Sequence, residues 1–241
     1  AQLCASDTLF MRVKTHLLSE RPLWGGAFVG AVSEAKVRSL EDMMDLYTAY
    51  PSAQPALVSS LLAEGAWGRA YAVFAELVAV SAEDNEAALL SVPFNRYLLK
   101  TTSPAPFNWR LHGNGAEFLP GGGVYAFFQG RRAETFMSQV FPLAGGAYNF
   151  SARMSGGVSE TAGWFRWQFA CADSGARLAT FDVDSLSAAP AAQVFELDLS
   201  NGVCDFVRLS LVGVAGTFPQ PARIEVSEVM LTRTGEASET F

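Results

Sequence analysis

The 241 residues are 50% hydrophobic and only 17% charged, the reverse of the balance that leaves a chain disordered, so the apolar material suffices for one large core or two smaller ones. The formal net charge is −7 and no basic cluster is longer than the pair Arg131–Arg132, which argues against nucleic acid as a partner. No apolar run reaches the roughly 18 to 20 residues of a membrane span. The longest, "AYAVFAELVAV", is interrupted by Glu76 and helical in pattern. The chain opens "AQLCASDT", with neither an initiator Met nor a basic-then-apolar leader, and reads as processed or trimmed, which leaves room for a targeting segment before it.

Up to about residue 90 the pattern is helical. "SLEDMMDLYTAY" opens with a Ser-x-x-Asp arrangement resembling a capping box, and Leu40, Met43, Met44 and Tyr47 follow at 3,4 spacing. In "QPALVSSLLAEG", Pro55 suits a first turn and Gly65 a C-terminal stop. "WGRAYAVFAELVAV" carries an amphipathic stripe of Trp67, Ala70, Tyr71, Phe74, Leu77 and Val78. "EDNEAALLSV" predicts a further short helix before Pro93, and Gly25–Gly26, Gly30, Gly65 and Gly68 read as punctuation.

After Pro93 the period changes. "TTSPAPFNWRL" is a proline-broken connector or an edge strand. Beyond it come "GVYAFFQG", "ETFMSQVFPL", "AYNFSARMSG", "GWFRWQFAC", "ARLATFDVD", "AQVFELDLS", "DFVRLSLVGV" and "ARIEVSEVMLTR", short alternating runs separated by turn residues. Such spacing predicts a β-sandwich. Helices followed by strands, without alternation, predict a segregated α+β chain: a helical domain over 1–92 and an antiparallel β-sandwich (jelly roll) over 93–241.

The three cysteines are Cys4, Cys171 and Cys204. The last two sit at strand ends 33 positions apart, and could either bridge across a sheet or pack as two small buried thiols. Catalytic chemistry is scarce. His16 falls in a helical stretch and His112 in a Gly/Asn loop, with no His or Cys spacing that suits zinc. "GNGAEFLPGGG" lacks the Gly-Lys-Ser/Thr of a phosphate loop and reads as a flexible turn, and no G-x-S-x-G elbow occurs. No cofactor or metal site is expected. Glu196 and Asp198 share one strand face roughly 7 Å apart, a spacing more typical of a solvated face than of glycosidase carboxyls set across a cleft. Glu225 and Glu228 fall on opposite faces of a regular strand. An enzyme is not expected.

The faces opposite the core carry the functional signal. In "GWFRWQFAC", Phe165, Trp167, Phe169 and Cys171 form the apolar face, and Trp164, Arg166 and Gln168 the other. "YNFSARM" adds Asn149, Ser151 and Arg153, and "DFVRLSLVG" adds Phe206, Arg208 and Ser210. If these strands share a sheet with Glu196 and Asp198, its outer surface gathers aromatics, guanidiniums, amides and carboxylates. A sugar suits that surface, because its apolar ring face stacks on Trp while its hydroxyls meet planar forks and amides. A protein interface suits it as well, and so does a packed Trp with decorating ion pairs.

From Pro93 to Arg233 the chain resembles the jelly-roll domain of carbohydrate-binding-module type found in bacterial envelope proteins. The resemblance rests on "PFNRYLL", "APFNWRL", "SQVFPLAGGAYNFSARM", "GWFRWQFAC", "GVCDFVRLSL" and "RIEVSEVMLTR". "LLAEGAWGRAYAVFAEL" is similar to the helix pairs of tetratricopeptide-like repeats that precede such domains. Together they imply an extracytoplasmic, non-catalytic protein, periplasmic or at the cell surface, connected with polysaccharide assembly, export or anchoring. They imply a disulfide between Cys171 and Cys204. They carry over no calcium site, since Ser227–Glu228 stands where an Asp pair is usual. The expected glycan site is Trp164 as a stacking platform with Arg166, Gln168, Arg153 and Arg208 pairing to hydroxyls or acidic groups. The expected partners are a polysaccharide and envelope assembly proteins, the latter in the helical grooves.

Overall fold

The computed structural model describes residues 7–35, 38–80, 98, 106–157, 163–183, 185–199, 204–217 and 220–234. The chain divides into two compact units, Ala1–Ala87 and Ala88–Phe241, the first helical and the second made of strands. The helix expected over "EDNEAALLSV" lies outside the described residues.

The helical unit holds α1 (Asp7–Glu20), α2 (Gly25–Ala35), α3 (Leu40–Ala49), a 3₁₀ turn (Pro51–Ala53), α4 (Gln54–Ala63) and α5 (Trp67–Val80). The cap signals act as expected. Asp42 N–H donates to Ser39 Oγ at 3.2 Å, and Ser39 keeps an extended backbone (φ −67°, ψ 156°) as an N-cap must. Gly65 takes φ +73°, its N–H meets Leu62 O at 3.0 Å, and Ala66 N–H meets Leu61 O at 2.9 Å. Those two bonds close α4 in a Schellman motif, which needs the left-handed residue that glycine supplies. Gly25 and Gly26 do not punctuate; they open α2. A Cβ on Gly25 would lie 2.2 Å from the Tyr50 ring, whose hydroxyl donates to Leu17 O at 2.9 Å. Close packing, not a turn, requires glycine there. The five described helices run 14, 11, 10, 10 and 14 residues, so their lengths do not recur as a regular pair.

The strand unit is a sandwich of two antiparallel five-stranded sheets. Sheet I runs β1 (Arg110–Leu111), β4 (Glu134–Pro142), β9 (Phe206–Ala215), β6 (Gly163–Cys171), β7 (Arg177–Val183). Sheet II runs β2 (Ala116–Phe118), β3 (Val124–Phe128), β10 (Ala222–Arg233), β5 (Ala147–Gly157), β8 (Ala191–Asp198). All eight expected strands are present. β1 and β2 are additions, drawn from the proline-broken connector and from "GNGAEFLPGGG". β1 is an edge, and just before it Pro106 O accepts Val140 N–H at 2.9 Å.

Alternation places the core between the sheets. Phe165, Trp167 and Phe169 from β6, Leu209 and Leu211 from β9, Phe150 and Met154 from β5, and Ile224 and Val226 from β10 are fully buried. Phe150 meets Phe195 of its own sheet and Trp167, Phe169 and Phe181 of sheet I, with ring centroids 5.2–6.3 Å apart. Cys171 and Cys204 form a disulfide with Cα atoms 5.8 Å apart, tying the end of β6 to the approach to β9. Glu225 and Glu228 do not fall on opposite faces. A bulge between Val226 and Glu228 inserts Ser227, so both glutamates are exposed and Val226 and Val229 stay buried.

Candidate functional site

The outer face of sheet I is the polar surface that the sequence foreshadows. β6 contributes Trp164, Arg166 and Gln168, all half-buried, while Phe165, Trp167 and Phe169 point inward. β9 contributes Phe206, Arg208 and Ser210 to the same face, because Ser210 stands opposite Gln168 and Arg208 opposite Ala170. Arg153 does not join them. β5 belongs to sheet II, where Arg153 pairs with Glu228 at 3.5 Å. Glu196 and Asp198 sit on β8, the far edge of the same sheet II. β5 and β6 are consecutive in the chain but lie on opposite sides of the core, so the surface assembled from all these strands divides into two faces pointing away from each other.

Register builds a row across all five strands of sheet I. Arg110 stands opposite Ser138, Ser138 opposite Ser210, Ser210 opposite Gln168, and Gln168 opposite Thr180. Four strand-to-strand gaps make the row roughly 19 Å long. Within it Ser138 Oγ is engaged by His112 Nε2 at 2.8 Å. The side chains of Ser210, Gln168 and Thr180 make no hydrogen bond to the protein among the described residues. Hydroxyl, amide and hydroxyl therefore stand side by side, each an available donor and acceptor.

A parallel row runs Thr135, Val212, Arg166, Asp182. Asp182 accepts from Arg166 through both Nε and Nη2, the latter at 2.9 Å, and from Trp164 Nε1 at 3.2 Å. One carboxylate thus holds both the indole and the guanidinium in place. Arg166 has two nitrogens committed to this fork, so it positions the platform more than it reaches for a ligand. The fork draws the Asp182 carboxyl below its ordinary value of 3.8, with the Trp164 hydrogen bond helping and partial burial opposing. A depressed carboxyl contributes stability above its unfolded pKa that is lost as pH falls through the folded value. The Trp164–Asp182–Arg166 linkage is therefore expected to persist down through the ordinary carboxylate value of 3.8 and dissolve only on further acidification. NMR titration of the Asp182 carboxyl carbon checks this; a midpoint at or above 3.8 contradicts it. The pair is part-exposed (27% and 43% of the side chains), so its stability effect should stay near that of a screened pair, about 0.2–1 kcal/mol.

His112 is also part of the face. Its backbone N–H donates to Phe136 O at 2.8 Å, and the imidazole is held below its ordinary pKa of 6.5 by burial and by the charges of Arg110 and Arg208. Arg110, His112, Ser138, Thr180 and Asp182 extend the set expected from sequence. Asp182 hides behind a bulge. Counting back from the Ala170–Arg177 pair places Phe181 opposite Arg166, and the register shift after Phe169 replaces it by Asp182. Among the described residues no group of three His, Cys, Asp or Glu is placed to hold a metal ion, and no helix is long and apolar enough to cross a membrane.

No family model matches the chain, and no curated protein matches it. Among solved structures it is similar to a CBM4 structure at 13% identity, covering 59% of this chain and 97% of that one, with a TM-score of 0.42. It is similar to TmCBM61 in complex with β-1,4-galactotriose at 12% identity, covering 52% and 88%, with a TM-score of 0.36. It is also similar to the Stig cyclase Fisc from Fischerella sp. TAU at 11% identity, covering 46% and 63%, with a TM-score of 0.35. At such identities the likeness is one of fold alone.

Proposed function

We propose that the chain is a non-catalytic glycan-binding protein of bacterial cell-surface polysaccharide assembly, export or anchoring, and that the outer face of sheet I binds the glycan. The observation that carries this reading is the row Ser210–Gln168–Thr180, polar side chains in direct register without partners among the described residues, beside an indole fixed by Asp182. Unused hydroxyls and amides on a rigid sheet suit sugar hydroxyls, and the Trp164 ring suits a pyranose face. The disulfide favours an oxidising compartment, the periplasm or the cell surface. Glu196 and Asp198 lie on one strand of the opposite sheet, which favours binding over hydrolysis.

Retention on immobilised bacterial polysaccharides tests the site. Trp164→Ala and Asp182→Ala are each expected to weaken retention by at least about tenfold, or 1.4 kcal/mol, with unchanged far-UV circular dichroism. Glu196→Gln, on the other sheet, should bind like the wild type. Equal retention of all four proteins would remove sheet I as the site.

A second reading, an envelope protein-interaction module, draws on the helical unit. Met11, Leu23 and Trp24 there are 53%, 105% and 52% exposed, an unusual display of large apolar side chains. It predicts a stable protein partner whose capture depends on Trp24 and is indifferent to polysaccharide.

A further inference from the structure

The proposed glycan face is electrostatically lopsided. Among the described residues Asp182 is the one carboxylate that the paired registers of sheet I place on it, and that carboxylate is already held by Arg166. Arg110, Arg177 and Arg208 have no carboxylate partner among the described residues, and the hydrogen bond of Arg208 goes to Ala172 O at 3.4 Å. In a chain with 24 acidic and 17 basic residues, three unneutralised guanidiniums on one face run against the composition.

Their placement is ordered. Ala170 stands opposite Arg208 on one side and Arg177 on the other, so the two arginines flank one small residue. On the other side of Arg208, Val140 stands opposite it, and Arg110 opposite Ser138 two residues further along β4. Ser138 and Ser210, 8% and 9% exposed, put hydroxyls between these cations. His112 bonds Ser138 and feels the charges of both Arg110 and Arg208. Around its ring the described residues therefore set two guanidiniums and a hydroxyl, with no carboxylate among them.

We infer that the part of this face bounded by Arg110, His112, Arg208 and Arg177 is a subsite for the carboxylate of an acidic sugar, so that the glycan recognised is a uronate-bearing one. The inference rests on the glycan-binding reading of the face. A guanidinium offers a carboxylate two parallel N–H donors, the arrangement that Arg166 and Asp182 already show within this sheet. Arg208 is half-buried, which strengthens its contact relative to open water, while Arg110 and Arg177 reach in from exposed positions. Opposite charge beside His112 favours its imidazolium, so binding takes up a proton and tightens as pH falls through the histidine range.

The test is calorimetric titration of the full chain with polygalacturonate and polyglucuronate, each beside its carboxyl-reduced form, which keeps the backbone but replaces COOH by CH₂OH. At least one acid form is expected to bind about tenfold or more tighter than its reduced form. Arg208→Gln and Arg110→Gln should collapse that ratio to within about twofold, and affinity for the acid form should rise as pH is lowered from about 7 to about 5. His112→Asn should flatten that rise. Equal binding of acid and reduced forms, with loss of both in Trp164→Ala, would overturn the carboxylate subsite and leave the glycan reading standing. Binding of sulfated chains in place of uronates would overturn the carboxylate assignment too. No binding of any of these or of neutral glycans would overturn both.

Discussion

Phe150→Ala is expected to destabilise the strand unit by about 3–5 kcal/mol, a large share of a domain's net stability. The ring lies at the centre of the aromatic cluster and links the two sheets, touching Trp167, Phe169 and Phe181 across the core and Phe195 on its own sheet. Those neighbours are flat, rigid and themselves packed, so the void left by alanine cannot collapse cheaply. Phe150→Leu keeps most of the volume and should cost far less. Chemical denaturation followed by near-UV circular dichroism measures both. Equal, small losses in the two variants would mean that the sheets are held chiefly elsewhere.

Opening the disulfide should cost nearly as much. Cys171 and Cys204 are 33 residues apart, and freeing a loop of that size lowers stability by about 3–4 kcal/mol on the chain-entropy account. The loss has a functional side. The bridge ties β6 to β9, which carry Trp164, Arg166 and Gln168 on one strand and Arg208 and Ser210 on the other. Cys171→Ala/Cys204→Ala should therefore unfold at lower denaturant and bind less tightly wherever the strands begin to separate. A stability shift under about 1 kcal/mol would contradict the loop-closure account.

Much of the fold was legible because its signals are local. Ser39 with Asp42, Gly65 after α4, and period-two alternation each encode one element without reference to the rest. The alternation in "GWFRWQFAC" also told which of its residues face outward. It could not tell which sheet a strand enters, since β5 and β6 alternate alike and lie on opposite sides of the core. For that reason Trp164, Arg166, Gln168 and Arg208 came together while Arg153 went to the other face. The partners that define the site were set by long-range register. A two-residue edge strand brings Arg110 opposite Ser138, and a bulge brings Asp182 opposite Arg166. The Ser227 bulge likewise placed Glu225 and Glu228 together. Gly25 illustrates the reverse case, a residue that reads as a turn and is fixed by the Tyr50 ring packed over it.

The central claim, that the outer face of sheet I binds a glycan, is tested most directly by NMR of the indole N–H resonances during glycan titration. Trp164 donates its Nε1–H to Asp182 at the half-exposed edge of the proposed site, while Trp167 is wholly buried and Trp24 lies in the helical unit. A saturable shift of the Trp164 resonance with a uronate-bearing or neutral polysaccharide, with Trp24 unmoved, is the predicted result. Shifts confined to sheet II or to Trp24, or no saturable shift with any glycan of a broad panel, would contradict it.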